Sequence, residues 1–367
     1  TNQVFENATT YTCLLFLSKN ANNNFKYQEI KLGDSIADSL NLKNFDKIES
    51  SKLSGKWTFN NSAKEMILDK INQKSASLAT ISRKIFKGSS TGNDDVYLVQ
   101  LISTHKKHSV VYSTILDENI KIENELLKPF IYGQDVRRFY VNNTVNYLIF
   151  PYEVGEKATL IDINDLKSNY PLAFSYFEKT RKVLVKRKLE FNNSDFYKYS
   201  AGRSLSEYHQ KKILIPDMLV ENRIGIDISG EYYHGPAIHS FIINEKYSYL
   251  HYNYILALLS SKIFWFFISN TSTALRGNAY RLTPEYINPF PIKLIDNNNK
   301  KELHTYNTLV SLVDKMLVLK KEEASEQNDK LKTMISRQID GIDRAIDQAV
   351  YELYNLTEDE IKVVEGG

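Results

Sequence analysis

The sequence of 367 residues is short of the side chains that staple a fold or carry common chemistries: one cysteine, two tryptophans, eight prolines and seven histidines. With Cys13 alone there is no intrachain disulfide and no second thiolate for a zinc ribbon or knuckle, which fits a reducing, cytoplasmic setting. Long hydrophobic runs are missing as well. The most apolar stretch, Tyr254 to Ile268, is interrupted by Ser260, Ser261 and Lys262 and is too short to span a bilayer, and the N-terminus lacks a basic-then-apolar signal pattern. A soluble protein with no membrane partner is expected. Phosphate loops ending in GK[ST], GxGxxG turns, HExxH helices and GxSxG elbows are all absent. His234 and His239 fall on one inferred strand with their side chains on opposite faces, so they cannot share a metal and read as structural or surface residues. Asp94 and Asp95 sit in a loop with no downstream Glu-x-Lys partner for two-metal phosphodiester cleavage, which argues against a nuclease site.

What is present is core and charge. Hydrophobic residues make up 42% and aromatics 12%, enough to bury more than one core and to exclude general disorder. The charge is uneven: residues 301–367 hold nine Lys/Arg against fourteen Asp/Glu, so the net +3 of the chain comes from the part before them. Two modules of different character are implied. In the first, Cys13–Leu17 reads as a buried strand, Asn20–Asn24 as a turn and FKYQEI as a second strand; Trp57 with Phe59 reads as another. Ser62, with Glu65 three positions on, reads as the capped start of a helix reaching about Gln73. Strand, loop, strand follows in IFKGSSTGNDDVYLVQLIS, then a turn around Pro129 and Gly133 that displays Arg137 and Arg138. The YLIFPYE segment is a short strand. From Pro171 the spacing of Phe174, Phe177 and Val183–Val185 predicts an amphipathic helix with a basic outer face. Strands are expected at Lys212–Ile215, at Arg223–Ile228 and in YYHGPAIHSFII, and one buried helix in YNYILALLSSKIFWFFISN.

The second module is helical. Tyr306, Val310, Val313 and Leu317, then Ile335, Ile339, Ile342, Ile346, Ala349 and Leu353, step by three and four residues on either side of the polar KKEEASEQND, as two antiparallel helices would. The fold class expected is therefore α+β: a mixed β-sheet domain followed by a long antiparallel helical hairpin.

The strongest chemical signal lies between Arg181 and Arg223, where ten Lys/Arg face five Asp/Glu with Phe191, Phe196, Tyr197, Tyr199 and Tyr208 among them. Lysine and arginine neutralise phosphates, while arginines and aromatic rings on loops reach base edges. The bland alternative is a solvated helix face; the clustering with aromatic residues favours nucleic acid. On residue chemistry Lys182, Lys186, Arg187, Lys188 and Arg138 are the candidates for phosphate contact. Arg137, Arg203, Tyr208, Arg276, Asn278 and Arg281 are the candidates for base readout, the last three in a loop whose Gly277 would let backbone approach closely.

These segments also occur in a recognisable order. IFKGSSTGNDDVYLV, LLKPFIYGQDVRRFYV, YLIFPYE, the KVLVKR helix, GRSLSEYHQKKILIPD, YILALLSSKIFWFFI, RGNAYRLTPEYINPFPI and IDQAVYELYNLTEDEIKVVE together resemble the C-terminal target-recognition region of type IIG restriction-and-modification enzymes and related adenine-specific DNA methyltransferases, with their TaqI-type specificity domain. VFENATTYTCLLFLSK is similar to the last strands of the methyltransferase domain in the same proteins. The resemblance implies residues 1–32 as the end of that domain, 33–300 as the recognition domain and 301–367 as a helical spacer or dimerisation hairpin. It implies double-stranded DNA as partner, an upstream methyltransferase domain in the same polypeptide, and self-association through 301–367. It also implies S-adenosylmethionine, and Mg where a nuclease is present, as cofactors held outside this chain. Thr91 and Gly92 match the family's TG element. With neither an Asn-Pro-Pro-Tyr motif nor a cofactor loop, the chain alone is not expected to methylate or cut DNA; it would choose the site and present an adenine to the catalytic domain. The competing expectation is a protein-interaction scaffold, like a type I specificity subunit, in which the long helices join subunits of a DNA-modifying complex.

Overall fold

The computed structural model describes residues 15–20, 22–28, 45–50, 62–275 and 279–366. The strand expected around Trp57 and the first two residues of the one expected at Cys13–Leu17 lie outside these residues. Where the latter is described, Leu15, Phe16 and Leu17 are exposed and unpaired, so the buried-strand expectation is corrected there: no neighbouring strand covers them among the described residues.

Two larger sheets are built from β1 (Ser82–Lys87), β2 (Leu98–Thr104), β3 (His108–Ser113), β4 (Glu118–Glu123), β5 (Leu127–Ile131), β6 (Asn146–Ile149), β7 (Lys212–Pro216), β8 (Gly225–Asp227), β9 (Tyr233–His234) and β10 (Ile238–Ile243). One is antiparallel in the order β8–β7–β10–β1. The other runs β9–β5–β6–β2–β3–β4 and is mixed, because β9 joins β5 in parallel while the remaining pairs are antiparallel. The chain changes sheet twice at glycine. A side chain on Gly88, just after β1, would place its first carbon 2.0 Å from the His234 carbonyl, so only glycine allows the two sheet-switching segments to touch.

The main helices are α1 (Ser62–Asn72), α2 (Pro171–Leu184), α3 (Tyr252–Ser260), α4 (Lys262–Thr271), α5 (Lys300–Ser325), α6 (Asp329–Leu353) and α7 (Glu358–Val364). The architecture is α+β, as expected. Helix α2 lays Ala173, Tyr176, Phe177 and Leu184 on the six-stranded sheet, against Tyr97, Val99, Ile122 and Ile149. Its proline start is completed by Glu123, whose carboxylate accepts from the Leu172 and Ala173 amides. The other core unites the four-stranded sheet, through Ile213 and Phe241, with α3, α4, α5 and α6.

The single helix expected over residues 252–270 is two helices bent by 58°. Every face of this stretch is apolar, so periodicity carries no warning; the break is chemical. Ser261 donates to the Leu258 carbonyl, closing α3, and its oxygen accepts from the Phe264 amide, opening α4. No single described helix is long and apolar enough to cross a membrane. Similarly, Asp94 and Asp95 begin a short helical turn (Asp94–Tyr97) rather than lie in a plain loop, because Asn93 caps the Val96 amide. His234 and His239 stand on different strands, β9 and β10, which corrects their shared-strand assignment: Gly235 and Pro236 break the run between them.

Candidate nucleic-acid interface

The loop Gly88–Asn93 is the hub of the surface that the sequence singled out. The Thr91 hydroxyl donates to Asp94 at 2.5 Å and accepts from the Asn93 amide, while Gly92 sits at a φ of +84° that a side chain would strain. A side chain there would also meet Ser200 at 2.7 Å. The Ser89 hydroxyl donates to the Arg203 carbonyl and Ser90 bridges Ala201, so the aromatic loop 196–203 is sewn onto the TG loop.

Arg187 is the main stitch. Its guanidinium donates to the carbonyls of Leu184 (2.9 Å), Thr91 (2.8 Å), Lys198 (2.8 Å) and Phe196 (2.6 Å). Those bonds occupy the fork that a phosphate would need, so the expectation of a backbone contact is replaced by an internal strut. Tyr208 is corrected in the same way. It is 1% exposed, its hydroxyl donating to the His234 carbonyl and accepting from the Ser89 amide, and burial pushes that phenol up to about 12. A residue this enclosed cannot reach a base. Arg138 faces the helical hairpin: it donates to the Ser260 carbonyl through two nitrogens and pairs with Asp343 of α6. It is not displayed, because the open C-terminal carbonyl of α3 and an acidic helix face both draw a cation.

The remaining candidates divide by place. Lys182, Lys186, Lys188 and Arg203 are exposed around the stitched loops. Arg137 is half-buried, donating to the Gln134 carbonyl. Arg281 is exposed on a small three-stranded ribbon, directly opposite Met218. Arg276 and Asn278 lie outside the described residues. Lys182, Lys186 and Lys188 are past or near the end of α2, which stops at Leu184, so the basic run continues into a turn.

Sequence reasoning missed a polar group that connects these places. Asp217 accepts from His239 at 2.8 Å and pairs with Lys87 at 3.2 Å. Its amide donates to the Ala237 carbonyl and its own carbonyl accepts from Leu282. Lys87 precedes Gly88, and Leu282 follows Arg281, so this trio links the TG loop to the Arg281 ribbon. Burial alone would raise the Asp217 carboxyl, but His239 and Lys87 hold it below its usual range; burial lowers His239 and keeps it neutral, with Nε2 donating. No spacing rule could find residues so far apart. Only the pairing of Ile215 with His239 reveals them. The surface is not uniformly basic: Asp94 and Asp95 line the cleft beside Thr91, Gly92 and Pro236.

No group of three or more His, Cys, Asp or Glu able to hold a metal occurs among the described residues. The Gly88–Asn93 loop, which runs into the Asp94–Tyr97 turn, spends Thr91 and Asp94 on each other.

Residues 128–292 match the TaqI-like C-terminal specificity domain. The chain is 27% identical over 394 residues to the type II restriction enzyme and methyltransferase RM.Eco57I of Escherichia coli, covering 99% of this chain and 38% of that protein. It is 26% identical over 226 residues to the type II methyltransferase M.BstVI of Geobacillus stearothermophilus, covering 60% and 36%. Among solved structures, the type IIG restriction endonuclease BpuSI aligns with a TM-score of 0.43 and 13% identity, over 85% of this chain and 36% of that one. The chain thus spans little more than a third of the length of the curated relatives it matches. The stitched loops, the Asp217 junction and the Arg281 ribbon all lie in or against residues 128–292, the part of the chain that is similar to the TaqI-like C-terminal specificity domain.

Proposed function

We propose that this chain recognises a specific sequence in double-stranded DNA for a type II, type IIG-like restriction-and-modification enzyme. It would position a target adenine for a methyltransferase domain elsewhere in the same polypeptide, where S-adenosylmethionine supplies the methyl group. The specificity-domain match over residues 128–292 carries the reading. The chemistry supports it: Lys182, Lys186 and Lys188 are exposed together where α2 ends, as phosphate contacts require, and Arg203 and Arg281 stand on rigidly tied loops, as base readers require. Arg137 remains a candidate reader in its half-buried turn.

Duplex binding by the full-length protein, titrated with salt, tests the reading. Replacing Lys182, Lys186 and Lys188 with alanine should weaken all sequences alike and flatten the salt dependence, by roughly 0.9 in slope for each phosphate lost. Arg281→Ala should instead relax preference at one position, costing about 1–3 kcal/mol for the preferred word alone. Salt-independent binding by the unmodified protein would sink the proposal.

A further inference from the structure

The strongly charged turn His105-Lys106-Lys107-His108 belongs to none of the loops discussed above. It closes the β2–β3 hairpin, with the His105 amide donating to the His108 carbonyl at 2.9 Å. β6 pairs with residues 98–100 of β2, with a last bond from the Leu101 amide to the Val145 carbonyl; beyond that point β2 is the open edge of a three-stranded extension in which β3 stays paired with β4 out to His108. An irregularity in pairing at Ile102, between Leu101 and Ser103, bends it, and Ile102 to Lys107 are exposed without interruption. The result is an arm.

Its tip is rigid and uncompensated. Asn124 donates to the His105 carbonyl at 2.8 Å, accepts from the Ser109 hydroxyl at 2.7 Å, and its amide donates to the Lys107 carbonyl at 3.2 Å. The backbone of the turn is therefore fixed while its side chains point to solvent, with the two imidazoles stacked 5.1 Å apart. No Asp or Glu occurs from Leu98 to Ser113. Glu123, paired with His108 across the strands, has both carboxylate oxygens engaged at the start of α2. A fixed turn with two lysines, two imidazoles and no counter-ion fits a polyanion, because the ordering cost is already met and the repulsion within the turn is relieved on binding.

We propose that this arm is a second grip on the phosphate backbone of duplex DNA, separate from the word-reading loops; the inference rests on the DNA-recognition reading above. The seven residues of β2 put the tip roughly 23 Å from the Asp94–Tyr97 turn at the base of the strand. That spacing corresponds to about seven base pairs at 3.4 Å each. The grip should thus fall on flanking DNA and carry no sequence information.

The test uses the full-length protein with duplexes that share one recognition word and differ in flank length, trimmed on one side, the other or both. Unmodified protein should lose roughly thirty-fold in affinity at 0.15 M salt when the flank under the arm is removed, the effect of about two phosphate contacts. The K106A/K107A double variant should show that loss already on the long duplex, with a salt slope lower by about 2, and lose nothing more on trimming. Both lysines are solvent-exposed turn residues, so folding is not at issue. Binding of the long duplex by K106A/K107A as tightly as by the unmodified protein overturns the arm and leaves the word-reading loops standing. Failure of the unmodified protein to bind any duplex overturns both.

Discussion

At the scale of single residues, the buried polar groups separate what the side chains are from what they do. Arg187 reads in the sequence as one cation in a basic run, yet its guanidinium is consumed internally by four carbonyls. Replacing it with alanine leaves the carbonyls of Phe196 and Lys198 without their donor, and that of Thr91 with the Ser200 amide alone, and should destabilise the protein by about 2–4 kcal/mol in urea unfolding, with Arg187→Lys losing less because one ammonium still reaches one or two of them. His234 offers a pH test. Its Nδ1 faces the Gly235 carbonyl and so carries the proton, while Nε2 accepts from Ser240. Burial, with Lys212 and His239 nearby, lowers its pKa from 6.5 to about 3. The unfolded chain therefore takes up a proton below pH 6.5 that the folded protein refuses until about pH 3, so stability falls as pH drops through that window. The slope from this one group is about 1.4 kcal/mol per pH unit. Thermal melts from pH 7 to pH 5 should show it, and His234→Gln should flatten the curve. Had it kept the same slope, the neutral buried imidazole would not be its source.

At the scale of elements, helical periodicity was readable where a helix has one wet face, and unreadable where it has none. Helix α2 and the hairpin pair fall where three-four spacing puts them, whereas the strands over residues 212–216 and 225–227 are buried throughout and show only as short runs rich in isoleucine. The break between α3 and α4 has no such signal, and neither does the exact seam of α5. The expected seam ran through Tyr306, Val310, Val313 and Leu317, whereas Leu309, Val313 and Met316 are the enclosed positions. Both rows are apolar, and α5 packs against α3 on one side and α6 on another, which a single helical wheel cannot choose between. The α3–α4 break is held from outside by α6, where Asp347 accepts from the Lys262 amide at 2.9 Å. Asp347→Ala removes that cap and leaves a donor without its partner, so a loss of about 1–3 kcal/mol in chemical denaturation is expected. A change within a few tenths of a kcal/mol would mean that Ser261 alone sustains the break.

At the scale of the whole molecule, charge divides the chain after residue 300 but packing does not. Leu309, Val313, Met316, Ile339, Ile346, Val350 and Leu353 share one core with Ile213 and Phe241 of the four-stranded sheet and with Leu256 and Phe264 of α3 and α4. Tyr354 donates to the Pro291 carbonyl from within that core, and Lys70 of α1 reaches Glu360 of α7. Seven enclosed apolar side chains, each worth about 1.5–3 kcal/mol of burial, together match or exceed the net stability of an ordinary domain. Removing residues 301–367 should therefore not leave an intact fold behind. The shortened chain is expected to lose cooperative unfolding and to bind a hydrophobic dye, as circular dichroism and dye fluorescence would register. Self-association through the hairpin has to be sought where it is exposed, at Val318, Leu331 and Met334 toward its free end. If the hairpin joins two molecules there, Leu331→Asp with Met334→Asp should shift the mass seen by light scattering from dimer to monomer while leaving the melting temperature and duplex binding unchanged. An unchanged mass would leave the hairpin as part of the recognition fold, bracing Arg138 and the α3–α4 break, with no role in joining subunits.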